Sequence, residues 1–309
     1  MKKSLTRKLT IAVIALVFAV VSLSTSTYAW FTMSTDADVE AFTADVKAGQ
    51  GIEIAVTKTN DHSNAQWYTG LVPDEIVQGV VPENLKFDAV TTANAKEFAK
   101  LKGASAVENT DYLTFYVHIK AAEAGKIRLN GITLDSKKDA VDPGYWTADA
   151  EYALADGKNV SVNDKVLYEV ENAARVSISV YDKGTTTFGV ATIYENVASN
   201  TTLESEVEGI KSYVAGNQTG MNNSSNEYGA FSYYNSKSSE SEDLVITDST
   251  NIEAKQISTL STPLELNQIA VDGICTLEVR VWIEGWDTEC LNAIFAQTLS
   301  VALSFDLLK

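Results

Sequence analysis

Apolar and polar positions alternate along most of the chain, and the clearest run lies near the C-terminus. Leu277, Val279, Val281 and Ile283 alternate strictly with Thr276, Glu278, Arg280, Trp282 and Glu284, the period-2 pattern of a half-buried strand. Leu299, Val301, Leu303, Phe305 and Leu307 repeat it against Ser300, Ala302, Ser304 and Asp306. Residues 287–297 form a short helical or irregular link between the two runs. Upstream, Leu113, Phe115, Val117 and Ile119 share one face. Tyr112, Thr114, Tyr116, His118 and Lys120 take the other, so the pattern points His118 outward among tyrosines. Ile52, Ile54 and Val56 alternate with Glu53 and Ala55. Val176, Ile178 and Val180 pair with the run 188–194 as a hairpin around Asp182-Lys183-Gly184. Ile127 and Leu129 have one parity and Ile132 and Leu134 the other, so a β-bulge at Gly131 is needed to bring both pairs to the core.

Few segments depart from this rhythm. Residues 92–103 read as a short helix with Thr92 as N-cap and Gly103 as its stop. Residues 67–81 read as short strands broken by Pro73, and Asp142-Pro143-Gly144 as a turn. Residues 203–214 fit a helix or an edge strand, and Leu244-Val245-Ile246 a short strand. The Asn/Ser-rich runs 217–226 and 235–242 read as long surface excursions within an insertion at about 195–262. No βαβ rhythm is present. The expected fold is all-β: an antiparallel, jelly-roll-like β-sandwich with short helices, one wet face per sheet, and a signal helix before it.

The first residues follow another rule. Lys2, Lys3, Arg7 and Lys8 precede an apolar stretch, 11–23, then the small polar run 24–27 and Tyr28-Ala29. This is the layout of a secretory signal, with cleavage between Ala29 and Trp30. The alternative is an uncleaved anchor, because 9–31 carries no charge and is long enough to span roughly 30 Å of hydrocarbon as a helix. Both readings place the remainder outside the cytoplasm, with the membrane reached only through an uncleaved leader. The expected organisation is a signal peptide at 1–29, an N-terminal arm at 30–48 and a single sandwich domain at 49–309. The chain ends shortly after Phe305 in a strand pattern, which argues against an LPxTG-type sorting signal or a C-terminal membrane helix.

Composition narrows the function. The chain has 24 Lys+Arg against 41 Asp+Glu, a net charge of −17. Removing the all-basic leader leaves 20 cationic side chains and a net charge of −21. Such a surface repels nucleic acid, whose recognition rests on Lys and Arg. The two histidines, His62 and His118, have no partner at metal-motif spacing. No phosphate loop and no GxSxG elbow is present. A glycosidase-type carboxylate pair is not singled out. We therefore expect no enzymatic activity and no cofactor. Calcium is the one metal that the acidic pairs invite, at Asp36/Asp38, Glu240/Glu242/Asp243 or Asp287/Glu289, none of which matches a DxDxDG loop. Cys275 and Cys290 fit either a disulfide closing a loop of about 15 residues or two separately buried thiols. Tyr112, Tyr116, Trp282 and Trp286 suggest an aromatic carbohydrate platform if they are exposed.

The leader end Tyr28-Ala29-Trp30-Phe31-Thr32 and the following run FTADVKAGQGIEI, from Phe42 to Ile54, resemble exported proteins of Gram-positive bacteria. These are the TasA and camelysin group, processed by a SipW-type signal peptidase. Trp282-Ile283-Glu284-Gly285-Trp286-Asp287-Thr288-Glu289-Cys290 and Phe305 look like the closing strand-loop-strand of the same group. The likeness covers about the first 56 and last 35 residues. It implies a jelly-roll-like sandwich at the cell surface or in biofilm matrix, self-associating into fibres by donation of an N-terminal strand. Carried onto this chain, the donated piece is residues 30–47, with Phe31, Phe42 and Val46 as anchors. That piece shows no clean apolar face when Val39, Ala41, Thr43 and Asp45 are set against Glu40, Phe42, Ala44 and Val46. The alternative is that it packs on its own domain as an ordinary first strand. The metalloprotease label of camelysin relatives is not carried over, because two isolated histidines lack the parts. A surface sandwich that binds carbohydrate or a host or cell-wall ligand is the second functional reading.

Overall fold

The computed structural model describes residues 41–101, 103–137, 146–153, 159–167, 169–182, 186–196, 203–207, 210–213, 229–237, 254–257, 264–269, 273–287, 290–292, 294 and 297–309. The leader, the cleavage pair Ala29 and Trp30, and Phe31 lie outside them. So do the acidic pairs at 36–38 and 240–243.

The chain runs through β1 (Ala41–Ala48), β2 (Ile52–Thr57), helix α1 (Asp74–Val80), β3 (Ala89–Thr92), β4 (Phe98–Lys100), β5 (Leu113–Ala121) and β6 (Gly125–Lys137). The middle is made of β7 (Trp146–Thr147), β8 (Tyr152–Ala153), β9 (Asn159–Val160), β10 (Lys165–Leu167), α2 (Val170–Ala173), β11 (Ala174–Asp182), β12 (Thr187–Phe188) and β13 (Thr192–Glu195). It closes with β14 (Leu203–Val207), β15 (Ile210–Tyr213), α3 (Gly229–Lys237), β16 (Ala254–Gln256), β17 (Leu264–Ile269), β18 (Ile274–Glu284) and β19 (Thr298–Leu308). The protein is all-β with three short helices among the described residues.

Two sheets carry most of the core. The larger has the order β16-β13-β11-β18-β3-β4, with β5 also paired to β18, β2 to β5 and β12 to β11. Strand β18 is its spine: β11 flanks it from Ala174↔Ile283 to Val180↔Leu277 and β5 from Ile274↔Lys120 to Val281↔Leu113. Leu277, Val279, Val281 and Ile283 are fully buried as the alternation predicts. The smaller sheet has the order β1-β19-β6-β17. Its central pair, β19 with β6, shifts register between Ser304 and Phe305, so Gly131 faces Ser304 while Leu129 faces Phe305. The expected bulge is there. It brings Ile127, Leu129, Ile132 and Leu134 all to the buried side.

Four expectations are corrected. The sheets are mixed, not purely antiparallel: β1 pairs with β19, β10 with β15, β13 with β16 and β18 with β3 in parallel. The larger sheet has no simple wet face, because Val90, Ala95, Phe98, Tyr112 and Ile193 cluster with Trp282 on the side expected to be wet. Residues 92–103 form no helix. The Asn94 carboxamide oxygen accepts from the Lys96 and Glu97 amides, both at 2.8 Å, and Thr92 donates to the Glu97 carbonyl at 2.6 Å. Such side-chain bonds favour a turn over a helix, and β3 and β4 form a hairpin instead. Finally, Pro73 does not break a strand but immediately precedes α1, with Asp74 and Glu75 in the first turn, where acidic side chains suit the helix dipole.

Within the insertion at about 195–262, the described residues include β14, β15, α3 and β16. Strands β14 and β15 pair antiparallel, from Leu203↔Tyr213 to Val207↔Ile210. Asn235 lies in the last turn of α3, whose Tyr233 is fully buried. The Tyr233 hydroxyl donates to Asp149 Oδ1 at 2.8 Å, and Lys237 Nζ reaches Asp149 Oδ2 at 2.6 Å.

Candidate functional site

Strand β1 stands at the edge of the smaller sheet and meets β19 in register from Ala41↔Thr298 to Ala48↔Phe305. Ala44, Val46 and Ala48 are buried, whereas Asp45 is exposed. The even positions therefore do make an apolar face, contrary to the sequence reading. That reading was misled by including Glu40 and stopping short of Ala48. Val46, one of the proposed anchors, is fully buried in its own chain. Phe42 is placed by its backbone opposite Leu299.

The outer edge of β1 is held by a strap, residues 66–72. The Val72 amide donates to the Val46 carbonyl at 2.8 Å, and the Ala48 amide to the Gly70 carbonyl at 2.7 Å. Two residues earlier the strap holds the other sheet: Tyr68 and Ile54 of β2 exchange amide–carbonyl bonds of 2.8 and 2.9 Å. One short segment thus ties both sheet edges, and β1 sits in a slot between the strap and β19. Gly49 closes the corner. Its amide donates to the Phe305 carbonyl at 2.7 Å, and a Cβ there would lie 2.8 Å from that same oxygen.

Beside the strap, on the outer side of β5, the structure brings the chain's two histidines together with ring centroids 5.1 Å apart. His118 is not among exposed tyrosines: it is 0% exposed. Its Nε2 lies 2.8 Å from Thr57 Oγ1 and its Nδ1 2.9 Å from Thr276 Oγ1. The Thr57 hydroxyl donates to the Thr59 carbonyl, so its oxygen accepts from Nε2–H. Nδ1 then accepts from Thr276, which assigns the neutral tautomer. Burial pushes the His118 pKa down to about 4, with His62 adding to the effect.

Elsewhere the proposed chemistry dissolves into packing. Trp282 and Trp286 are each 1% exposed and Tyr112 is buried, so the carbohydrate platform is not formed. Only Tyr116 remains half-buried, beside Phe188 at 5.7 Å. Cys275 and Cys290 are separate buried thiols. The first is the second residue of β18, and the second follows the far end of that strand, where its amide donates to the Asp287 carbonyl. The strand carries the chain roughly 30 Å away from Cys275, beyond the reach of a bridge needing Cα atoms within about 7 Å. Burial pushes the Cys290 thiol well above its ordinary range.

Asp287, one half of a candidate calcium pair whose other member, Glu289, lies outside the described residues, binds Arg175. One guanidinium nitrogen, Nη2, lies 2.7 Å from Asp287 Oδ2 and 2.8 Å from Glu195 Oε2, with all three side chains buried. Nη1 donates to the carbonyls of Asn172 and Ala174 at 2.9 and 3.0 Å. Burial opposes the Arg175 charge, but Asp287 and Glu195 outweigh it and hold the guanidinium above its ordinary value. Burial pushes the Glu195 carboxyl up against the pull of Arg175. Sequence reading missed this triad because its members lie on three separate segments, each innocuous alone.

The molecule is thus an all-β protein whose first described strand occupies an edge slot between its last strand and a strap. No family model, no characterised protein and no solved structure matches the chain.

Proposed function

We propose that this is an exported structural protein of the cell surface or biofilm matrix, with a jelly-roll-like body, whose copies join by passing β1 from one slot to the next. The leader at 1–29, cut between Ala29 and Trp30 by a SipW-type signal peptidase, would free the segment that precedes β1. The likeness of both chain ends to the TasA and camelysin group supports the same reading. The observation that carries it is the position of β1. It is an N-terminal edge strand joined in parallel to β19, with a buried apolar face that an identical strand from another copy fits equally well. Strand addition of this kind gains main-chain bonds along the ladder and specificity from alternate side chains. Val46 is then an anchor in cis before exchange and in trans after it. Self-association is the partner relation, with no nucleic acid and no catalysis.

The test is to lock β1 at home. Asp45 and Ala302 face each other across the pair, and Asp45 is exposed. Facing residues on paired strands have Cα atoms about 5 Å apart, within disulfide range. Purified Asp45→Cys/Ala302→Cys protein lacking the leader is expected to stay monomeric when oxidised and to form fibres in negative-stain images once reduced. Equal fibre formation by the oxidised protein, or none by the reduced and wild-type proteins at both pH 7 and pH 4.5, would refute strand exchange.

A further inference from the structure

Resting on the strand-exchange reading, a second feature bears on when β1 is released. A continuous line of contacts joins the buried imidazole to the strap. His118 on β5 touches His62 in the loop after β2, and the His62 ring lies edge-on to Trp67 at 6.4 Å. Trp67 is covered by Lys120 Nζ at 4.9 Å from its ring centroid. The next residue, Tyr68, begins the bonds that fasten the strap first to β2 and then, through Gly70 and Val72, to β1. The loop that covers His118 is thus continuous with the segment that clamps the strand.

The charges around the ring are accounted for from each side. On β5 itself, Lys120 and Tyr116 share its face, and Lys120 is paired with Glu53 of β2. Besides Glu53, strand β2 adds the Thr57 hydroxyl. Strand β18 adds Thr276, with Glu278 one step further and engaged by Arg280 and Tyr116. The loop supplies His62 and Asp61, and the Asp61 carboxylate is turned to the Ser63 amide and hydroxyl. Among the described residues no carboxylate is hydrogen-bonded to His118: both nitrogens face threonine hydroxyls, and the Thr59 carbonyl and the Asp61 charge, which favour a cation, are outweighed by burial and His62. The closed form therefore solvates a neutral ring and has little with which to stabilise a cation, and the nearest other ring is a second histidine.

We propose that His118 and His62 form an acid-sensitive latch: when the medium acidifies, the open loop, in which His118 meets water, captures a proton, and the strap 66–72 lets go of β1. Neutral medium keeps the strand at home, and acid medium licenses exchange. The sign follows from linkage. The folded imidazole titrates at about 4 and the solvent-exposed one at its ordinary 6.5, so the open form binds the proton first. Stability of the closed form is complete above 6.5, falls as pH drops from 6.5 towards 4, and loses nothing more from this group below that. The difference shifts the opening equilibrium by roughly 300-fold across that window.

Hydrogen exchange read by mass spectrometry on the wild-type protein at pH 7 and pH 4.5, corrected for intrinsic rates, tests the latch without requiring fibres. Residues 66–72 and 41–48 are expected to lose protection together at pH 4.5, by up to about a hundredfold, with the β19 amides that bond to β1 following them, while β18 and β6 stay protected. In His118→Gln the acid response should vanish. NMR titration of the two imidazoles in the wild-type protein serves if that variant does not fold: one ring should stay neutral until below pH 5 and titrate together with strap opening. Equal loss of protection throughout the chain would overturn the latch, as would an acid response unchanged in His118→Gln. So would two imidazoles titrating near 6.5 beneath a still-protected strap. Opening without fibres would overturn strand exchange but not the latch, whereas fibres with no opening would do the reverse.

Discussion

Arg175→Ala is expected to be the most damaging single substitution away from the hydrophobic core, lowering the unfolding free energy by about 3–5 kcal/mol. The reason is what remains rather than what is lost. Glu195 and Asp287 are nearly inaccessible to solvent, and Glu195 already carries one oxygen with no hydrogen-bond partner. Without the guanidinium, two carboxylates share a dry site at the junction of β11, β13 and the turn after β18. Either charge then has to be neutralised by a proton or admitted to water by local unfolding. The same logic sets the control. Arg175→Met combined with Glu195→Gln and Asp287→Asn removes all three charges and should recover much of the loss, because an uncharged buried cluster needs no counter-ion. Arg175→Lys should fall between, since a single ammonium cannot reproduce the guanidinium's contacts to two carboxylates and two carbonyls. Urea unfolding followed by far-UV circular dichroism measures all three. An Arg175→Ala unfolding free energy within about 1 kcal/mol of wild type would remove the triad from any account of stability.

Much of this fold is legible in the sequence, and the reason is local. β18 and β19 announce themselves because each has one face fully covered, so period-2 alternation survives in the residue types. The bulge in β6 is legible for the same reason. Two apolar pairs of opposite parity around Gly131 have no other way to share a core. What cannot be read is which residues cover the second face. Trp282 occupies a polar-parity position, and it is buried by Phe98 and Tyr112, which come from distant parts of the chain. The reading of Trp282 and Trp286 as a ligand platform fails on that one point. The helix expected at 92–103 fails through Asn94, whose side chain competes for the amides a helix would use. The histidine pair is invisible because nothing in the spacing of His62 and His118 signals that a loop folds back over the neighbouring strand. For the slot, the sequence does place a special segment before Gly49, and its inward face is there to be read in Ala44, Val46 and Ala48. The strap is not, since no pattern in 66–72 indicates that it bonds to two sheets at once.

Trp282→Ala should cost about 3–5 kcal/mol, the range for deleting a large aromatic from a closed core. The indole is 1% exposed and stands edge-on to Phe98 at 5.2 Å between centroids, while Phe98 in turn stacks on Tyr112 at 4.1 Å. Edge-to-face and offset aromatic pairs add to the area buried, so the cavity left by truncation has walls that cannot easily collapse. A second loss is polar. Trp282 Nε1 donates to Glu284 Oε2 at 3.1 Å, and that bond helps keep a carboxyl that burial pushes upward from rising further. Trp282→Phe separates the two contributions: it keeps most of the ring packing, drops the donor and should lose only about 1–2 kcal/mol. The pair of variants also decides between packing and recognition for this residue. If Trp282 acts only by packing, binding to a panel of insoluble polysaccharides should be unchanged in Trp282→Phe, and Trp282→Ala should show its effect entirely in the unfolding transition. A Trp282→Ala protein as stable as wild type that has lost affinity for a polysaccharide would restore the surface role that the covering cluster argues against.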